Sequence, residues 1–275
     1  MDWFKPSKTD VKQIEHFLKK REHLCINLCE LYLEKGLRLI EEGGFLIGRN
    51  RYEVCGVLGT DFKGHILPMI DGDLTPTARK TIEGYLAGLP KVISVMGPAS
   101  SVDAVSRLVH RPVFKRIEYI LMTASTRPTV SGPSRLSIST VKAKDIPQVF
   151  PLQEGYEKEE VLLEPDHFNK AVSMLLFKQK VKKYPHYMGL YGGEIVSMAR
   201  INARGWSYSQ IGGVYTLRSC RNLGYAGETV AYLMNEIFKK GRAPALFVKT
   251  GNMPALALYR RLGFVDKSPF SIAYF

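Results

Sequence analysis

The chain has 275 residues, of which 45% are hydrophobic and 24% charged, and it carries a formal net charge of +13. These values are typical of a folded globular protein and exclude a disordered or fibrous chain. Its apolar runs are much shorter than the ~18 residues needed to cross a bilayer, and no hydrophobic leader follows Met1. We therefore predict a soluble, cytoplasmic protein without a membrane partner.

The first half predicts alternating strands and helices. The periodicity of apolar residues identifies these strands and helices, and turn signals mark the boundaries between them. The predicted strands cover residues 45–49, 54–59, 64–70, 92–96 and 115–122, and the predicted helices cover residues 75–88 and 99–109.

Residues 123–134 have the composition of a linker, being rich in Ser, Thr, Pro and Gly and poor in large apolar side chains. They divide the chain almost equally. We therefore predict two domains, residues 1–125 and residues 126–275.

The second half repeats a similar order of elements. A hairpin signal stands at Gly192 and Gly193, and glycines at 241 and 263 end two helices. Strands are predicted at residues 136–142, 187–191, 194–202, 207–216, 245–248 and 268–275, and helices at residues 145–149, 166–182, 224–240 and 254–262. Asp166 is the predicted N-cap of the second of these helices, whose apolar residues include Phe168, Val172, Leu175 and Leu176.

The common order of elements predicts a layered α/β (α+β) fold with a divergent internal duplication. Two unrelated α/β halves are the alternative, because the two halves align only with insertions and weak identity.

The four cysteines are Cys25, Cys29, Cys55 and Cys220. Cys25 and Cys29 have the spacing to share a helix face, but no further ligand pair with zinc spacing lies nearby. We predict free thiols and no metal site.

The basic charge is densest at Lys178, Lys180, Lys182 and Lys183. A basic surface suits nucleic acid, and it equally suits an anionic cofactor, so charge alone does not choose between them.

The segment most informative about chemistry joins the strand ending at Thr216 to the helix starting at Gly224. The first N–H groups of a helix lack internal partners and lie at the positive end of its dipole. Gly224 and Ala226 are small enough for a phosphate to approach the backbone, and Arg221 adds positive charge. This pattern indicates an anion site.

The same segment resembles the GNAT superfamily of acyl-CoA-dependent N-acyltransferases. The pattern Gln/Arg-x-x-Gly-x-Gly/Ala of that family is matched by Arg221, Gly224 and Ala226. A second element of the family follows, with Asn252, Tyr259 seven residues later, and Gly263-Phe264. The resemblance covers roughly residues 136–275 and implies tandem GNAT-like domains, each with a mixed, mostly antiparallel sheet flanked by helices.

The resemblance also implies residue roles. The strand edge at Val214, Tyr215 and Thr216 would bind the pantetheine arm of acetyl-CoA, and Asn252 would contact the same arm. Tyr259 would protonate the leaving thiolate as general acid. The pyrophosphate would be held by Arg221 and by the backbone of Asn222, Leu223, Gly224, Tyr225, Ala226 and Gly227.

The sequence departs from the family at the general base. Many relatives carry a glutamate on a central strand, whereas residues 207–216 contain only Gln210. Glu154, Glu159 and Glu160, in a predicted substrate-lining helical region, are the candidates for deprotonating or binding an amine. Each of them equally fits a solvated helix face.

The first half lacks the phosphate-binding loop pattern and the residues that correspond to Asn252 and Tyr259. Asp71 and Asp73 stand where a phosphate would sit, and Val105 and Pro98 align with Tyr259 and Asn252. We predict a degenerate GNAT-like repeat that binds no CoA.

The sequence thus predicts an N-acetyltransferase that uses acetyl-CoA as cosubstrate and transfers the acetyl group directly to an amine through a tetrahedral intermediate. The acceptor is a small molecule or a peptide. Two alternatives stay open: a nucleic-acid-binding protein that uses the basic residues around 178–183, and a catalytically silent acyl-CoA sensor.

Overall fold

The computed structural model describes residues 1–51, 53–61, 63–129 and 134–275 of the chain. Within these ranges, eight α-helices flank one sheet of twelve strands. The strands are β1 Asp2–Phe4, β2 Phe45–Asn50, β3 Glu53–Thr60, β4 His65–Ile70, β5 Ser94–Pro98, β6 Lys115–Thr123, β7 Ser137–Thr140, β8 His186–Tyr191, β9 Glu194–Arg204, β10 Tyr208–Thr216, β11 Ala243–Lys249 and β12 Val265–Tyr274. The helices are α1 Val11–Arg21, α2 Ile26–Glu41, α3 Pro76–Ala87, α4 Ala99–Ser106, α5 Ile146–Tyr156, α6 Lys170–Lys183, α7 Tyr225–Lys239 and α8 Met253–Arg261.

The order of strands in the sheet has an internal two-fold symmetry. It runs β1-β2-β3-β4-β5-β12-β6-β11-β10-β9-β8-β7. Each strand of the first half has a counterpart whose number is higher by six, so that β1 corresponds to β7 and β6 to β12. When every strand is replaced by its counterpart, the same order results, read from the other edge of the sheet. The parallel pairs β4–β5 and β10–β11 also occupy equivalent places. The predicted α/β fold is confirmed, and this symmetry supports the predicted duplication.

The last strand of each half is exchanged between the halves. Strand β12 lies between β5 and β6 and is antiparallel to both. Strand β6 in turn pairs with β11. The two predicted sheets are therefore one continuous sheet, because each half completes its sheet with a strand from the other. The boundary at residue 125 stays a prediction, and residues 130–133 of the predicted linker lie outside the described residues.

The halves are also joined by carboxylates of the first half that bind backbone N–H groups of the second. Glu22, which is buried, accepts hydrogen bonds from the backbone N–H groups of Ser207 at 2.9 Å and Tyr208 at 2.8 Å. Glu30 of α2 accepts from the backbone N–H of Arg204 at 2.9 Å. These bonds fix the turn between β9 and β10 and so position the start of β10.

Two helices differ from the sequence prediction. Helix α5 runs past residue 149 to Tyr156 and continues as a π-helical turn, Glu157–Val161. Helix α6 begins after Asn169, not Asp166, because the Asn169 side chain accepts a hydrogen bond from the N–H of Val172. Its expected apolar face is wrong: Val172, Leu175 and Leu176 are exposed, whereas Ser173 and Phe177 face the interior.

The sequence pattern predicts no element before residue 45, where the structure contains β1, α1 and α2. The Sγ atoms of Cys25 and Cys29 lie 3.8 Å apart and buried at the start of α2. Among the described residues no three His, Cys, Asp or Glu side chains are grouped as a metal ion requires. In the same part of the chain no helix combines the length and apolarity needed to cross a membrane.

Candidate active site

The site is built where two neighbouring parallel strands separate. Strands β10 and β11 pair from Tyr208↔Ala243 to Ile211↔Leu246, and the pairing ends there. Beyond Ile211, β10 bulges at Gly213, which has a φ of +58°, while β11 continues along β6 to Lys249. A bulge bends its strand. The edge of residues 212–216 is therefore turned to a gap in the ladder, where an extended ligand can pair with it.

Helix α7 begins beside that edge without a side-chain cap. Its N-cap is Gly224, in the left-handed conformation with φ +83°. By contrast, the side chains of Thr75, Asn169 and Asn252 cap α3, α6 and α8. Since the first-turn N–H groups of α7 have neither a cap nor an internal partner, they are free to bind an anion.

Arg135 lies across the start of α7, and sequence reasoning missed it. One guanidinium nitrogen donates to the carbonyl oxygen of Leu223, and a Cβ added to Gly224 would lie 2.8 Å from the same nitrogen, Nη2. Its Nε donates to Glu228 in the first turn of α7 at 3.1 Å. The side chain is 53% exposed. Arg135 thus offsets the charge of Glu228 and places guanidinium donors at the helix start. Its position directly after the predicted linker was the only signal in the sequence.

A second charged cluster fastens the loop before α7. Both oxygens of Glu159 are used: Oε1 accepts from Tyr215 Oη at 2.6 Å and Arg218 Nε at 2.9 Å, and Oε2 accepts from Arg221 Nη2 at 2.8 Å. Arg221 Nε also donates to the carbonyl oxygen of Thr216 at 3.3 Å. Burial acts to raise the pKa of Glu159, but these hydrogen bonds outweigh it and lower the pKa to about 2.

The three candidate glutamates therefore differ in their surroundings. Glu159 belongs to the cluster just described, and its low pKa makes it a weak base. Glu154 is paired with Lys158 one turn along the same helical segment, with Oε1 and Nζ 2.7 Å apart. Glu160 pairs with Lys249 at the end of β11, with Oε2 and Nζ 3.0 Å apart. Of the three, only Glu160 is bonded to β11, the strand that borders the gap.

Tyr259 of α8 is buried and lies near Glu160. Its pKa is raised, first by burial and then by the nearby Tyr156 and Glu160, so the phenol keeps its proton at neutral pH. Tyr119 of β6 faces the same two residues, and its pKa is raised by burial and by Tyr274, Tyr156 and Glu160. Among the described residues, the Tyr259 hydroxyl has no hydrogen-bond partner, which leaves its proton available to a ligand.

The other predicted contact residues lie at the starts of α7 and α8. Asn252 caps α8, its Oδ1 accepting from the N–H of Ala255 at 3.1 Å, which leaves the amide nitrogen as a donor. Asn222 has a φ of +62°, and together with Gly224 it turns the loop into the helix. Gly227 stands where a Cβ would lie 3.1 Å from Leu258 Cδ1, which brings α7 close to α8. Tyr225 is buried and Leu223 is exposed.

The equivalent place in the first half is closed. Strands β4 and β5 pair only at His65↔Ser94 and Ile66↔Val95, but the Ser101 hydroxyl then accepts from the N–H of Ile70 at 3.0 Å. A Cβ on Gly97 would lie 2.7 Å from the carbonyl oxygen of Pro68, so no gap opens.

Helix α3, the counterpart of α7, has its first turn occupied. The Thr75 hydroxyl accepts from the N–H of Ala78 at 3.2 Å. Asp71 is paired with Arg21. Val105, aligned with Tyr259, is fully buried among apolar neighbours. The first half therefore has neither a free strand edge nor an uncapped helix start at these positions.

Comparison with known proteins agrees with this geometry. Residues 187–269 match the family model described as FR47-like protein. No curated protein matches the chain significantly. Together with the solved structures that follow, this match confirms the resemblance to the GNAT superfamily inferred from the loop and helix motifs.

Solved structures with the same fold extend over the whole chain. One is a Drosophila protein with 15% identity and a TM-score of 0.68, covering 99% of this chain and 98% of the other. Another is an acetyltransferase from the GNAT family of Colwellia psychrerythraea, with 8% identity and a TM-score of 0.59 over 100% of both chains. A third is a GCN5-related N-acetyltransferase from Sphaerobacter thermophilus, with 15% identity and a TM-score of 0.58 over 98% and 94%. The chain has the fold of GNAT acetyltransferases.

Proposed function

We propose that the chain is an N-acetyltransferase that transfers the acetyl group of acetyl-CoA directly to an amine. The observation that carries the proposal is the combination of a strand gap and an uncapped helix start in one half only. An extended thioester arm fits a free strand edge, and a pyrophosphate fits the first turn of α7. The left-handed Gly224 and the closely packed Gly227 keep side chains out of that first turn.

In this proposal the N–H groups of residues 222–227, with Arg221 and Arg135, bind the phosphates. The edge at Val214, Tyr215 and Thr216 and the amide of Asn252 hold the pantetheine arm. The N–H of Val214 stabilises negative charge that develops on the acyl oxygen. Glu159 keeps Arg218 and Arg221 in place and so acts as a positioning residue.

Proton transfer is assigned to Glu160 and Tyr259. Glu160 accepts the proton of the attacking amine, because it alone of the three glutamates is bonded to β11, the strand that borders the gap, whereas Glu159 is held by two arginines. Tyr259 gives its proton to the departing thiolate, a step that suits a phenol that stays protonated at neutral pH. The amine nitrogen forms the new amide bond while the thioester C–S bond breaks.

Release of free thiol from acetyl-CoA, measured with a panel of amines, tests the proposal, together with mass spectrometry of the acetylated product. A mass gain on one amine class, abolished by Gly224→Val, supports it. Binding of acetyl-CoA without thiol release for any amine would favour an acyl-CoA sensor. Binding of RNA that weakens steeply with salt, without acetyl-CoA binding, would favour the nucleic-acid alternative.

A further inference from the structure

Arg200 of β9 is a buried cation without an anionic partner. The residue is 4% exposed. Its Nε donates to Asn202 Oδ1 at 2.8 Å and its Nη1 donates to Gln153 Oε1 at 2.8 Å, both of them neutral amides. Among the described residues, Nη2 has no hydrogen-bond partner. This nitrogen is also not completely shielded from solvent. One donor of the guanidinium is therefore open to a ligand.

Three partly buried arginines elsewhere in the chain each face a carboxylate. Arg21 pairs with Asp71, Arg49 with Asp10, and Arg116 with Asp103. Arg200 is more buried than these, yet no carboxylate lies within 4.0 Å of it in the described part of the chain. Burying a charge is costly unless it is paired, and in the absence of a ligand the guanidinium is stabilised by its amide contacts and by the Tyr156 ring.

Two further basic side chains, His186 and Lys180, lie near Arg200. His186 lies directly across the strand pair from Arg200, and its pKa is lowered to about 4 by burial, with Arg200 and Lys180 adding to the effect. The pKa of Lys180 is lowered to about 8, first by the protein around its ammonium group and then by Arg200, although the residue as a whole is exposed. Glu157, the nearest acid, is instead bonded to Gln153 Nε2 at 2.5 Å.

The guanidinium also lies at the reacting end of the site. A Cβ added to Gly213, the residue at the bulge of β10, would clash with Arg200 Nη1, so the group sits directly against the place where β10 leaves β11. The Tyr156 ring is 5.3 Å from it, and Tyr156 and Glu160 both lie near Tyr259. Arg200 packs on the α5 side of the sheet, whereas α7 covers the other side. It is thus on the acceptor side and not the phosphate side.

We propose that Arg200 binds a carboxylate of the acceptor, so that the amine substrate is an amino acid or another small amino-carboxylate. This inference rests on the proposed function and narrows its substrate class. Guanidinium and carboxylate match in charge and in the fork geometry of their hydrogen bonds. The carboxylate would be held below Gly213 while the amine is directed toward Glu160 and the thioester.

The test compares each amino acid with its own amide. Alanine, β-alanine and 6-aminohexanoate are assayed beside alaninamide and the matching amides, with thiol release from acetyl-CoA as readout. The amide keeps the amine and chain and removes only the negative charge. At neutral pH a larger fraction of the amine is unprotonated in alaninamide than in alanine. Intrinsic amine reactivity therefore favours the amide, so a higher rate for the acid cannot come from it. We expect at least one acid to exceed its amide about 10²-fold in kcat/KM.

Arg200→Gln removes this preference: kcat/KM for the acid falls to that of the amide, while the dissociation constant of CoA is unchanged. Arg200→Lys keeps the charge without the fork and restores part of the preference. Arg204→Gln, on the same strand but packed against Tyr184, is the matched control and leaves the preference intact. Equal rates for acid and amide in the unaltered protein overturn the inference whether or not the variants fold.

A binding experiment separates failure of the inference from failure of the proposed function. N-acetylalanine and its amide are titrated into the CoA-loaded protein by calorimetry, which requires no turnover. Tighter binding of the acid, lost in Arg200→Gln, supports the carboxylate site even if no amine releases thiol. Equal or absent binding of both, with an amine that is nevertheless acetylated, leaves the activity standing and refutes the role of Arg200.

Discussion

Replacing Glu159 by Gln tests the charged cluster that fastens the loop before α7. The substitution keeps the shape of the side chain but removes the negative charge that faces Arg218, Arg221 and the Tyr215 hydroxyl. The two guanidinium groups then lose their anionic partner, and the loop loses its connection to the helical segment after α5. We expect the variant to be less stable, with an effect that depends on pH.

The size of the effect follows from the pKa of Glu159, which is about 2 compared with an ordinary value of 4.5. Since one pKa unit corresponds to ~1.4 kcal/mol, the ionised carboxylate contributes about 3 kcal/mol near pH 7. The side chain is 22% exposed, so solvent screening makes this an upper value. Because the folded pKa is depressed, the contribution is fully present above pH 4.5. It falls as the pH drops toward 2, to about 1.4 kcal/mol at pH 3.

The free energy of unfolding is measured by urea titration for the unaltered protein and Glu159→Gln between pH 3 and pH 7. The difference should be largest at neutral pH and shrink by about half at pH 3. Glu154→Gln is the matched control: it breaks one ion pair with Lys158 within a helical segment and should cost no more than ~0.5 kcal/mol. A difference for Glu159→Gln that does not change with pH would refute the assigned role of the carboxylate.

Three further predictions concern the ligand groups. Gly224→Val forces a branched side chain into a left-handed position 2.8 Å from Arg135 and should abolish acetyl-CoA binding by calorimetry, whereas Gly241→Val, with φ +69° and open space around it, shows backbone strain alone. Arg135→Gln should weaken acetyl-CoA about tenfold, and exposed Arg127→Gln should not; equal affinity of the two variants contradicts a phosphate contact. Tyr259→Phe should lower the single-turnover rate ~10²–10⁴-fold with unchanged acetyl-CoA affinity and melting temperature, and an unchanged rate would assign the proton to water or another group.

Local patterns sufficed to predict the elements that build the proposed cofactor side of the candidate site. Strand β10, the loop at Arg221 and helix α7 follow each other directly in sequence, and their glycines mark the turns that the backbone needs. The spacing from Asn252 to Tyr259 is likewise local, because both lie on or at the start of α8. Such features can be read from one sequence because no distant segment decides them.

The strand exchange and the contacts of Arg135 and Arg200 could not be predicted from local patterns, because they depend on segments distant in the sequence. The exchange of β6 and β12 between the halves depends on which strands meet, and neither strand differs in pattern from one that stays in its own half. Arg135 reaches Leu223 from 88 residues away, and Arg200 meets Gln153 from 47 residues away. One signal for Arg200 was present: it follows buried Met198 by two residues in a strand, a position where an arginine faces the interior.

The number of acetyl-CoA molecules bound per chain tests whether the first half lacks a cofactor site of its own. The two halves share an order of strands, so an undiverged pair would bind two. In the first half, however, Thr75 occupies the first turn of α3, Ser101 satisfies the edge of β4 at Ile70, and Gly97 lies against Pro68. Opening the sheet there would leave the buried N–H of Ile70 without its hydrogen-bond partner, which costs about 1–3 kcal/mol of stability.

We therefore expect calorimetric titration to give one acetyl-CoA per chain, with the whole heat signal lost in Gly224→Val. Ser101→Ala removes the hydroxyl that closes the β4 edge, and it should lower stability without creating a second site, because Thr75 still caps α3. Two molecules bound by the unaltered chain, or a full residual signal in Gly224→Val, would mean that the first half binds the cofactor. The difference between the halves would then have to be sought in the acceptor groups, since Arg200, Glu160 and Tyr259 all lie in the second half.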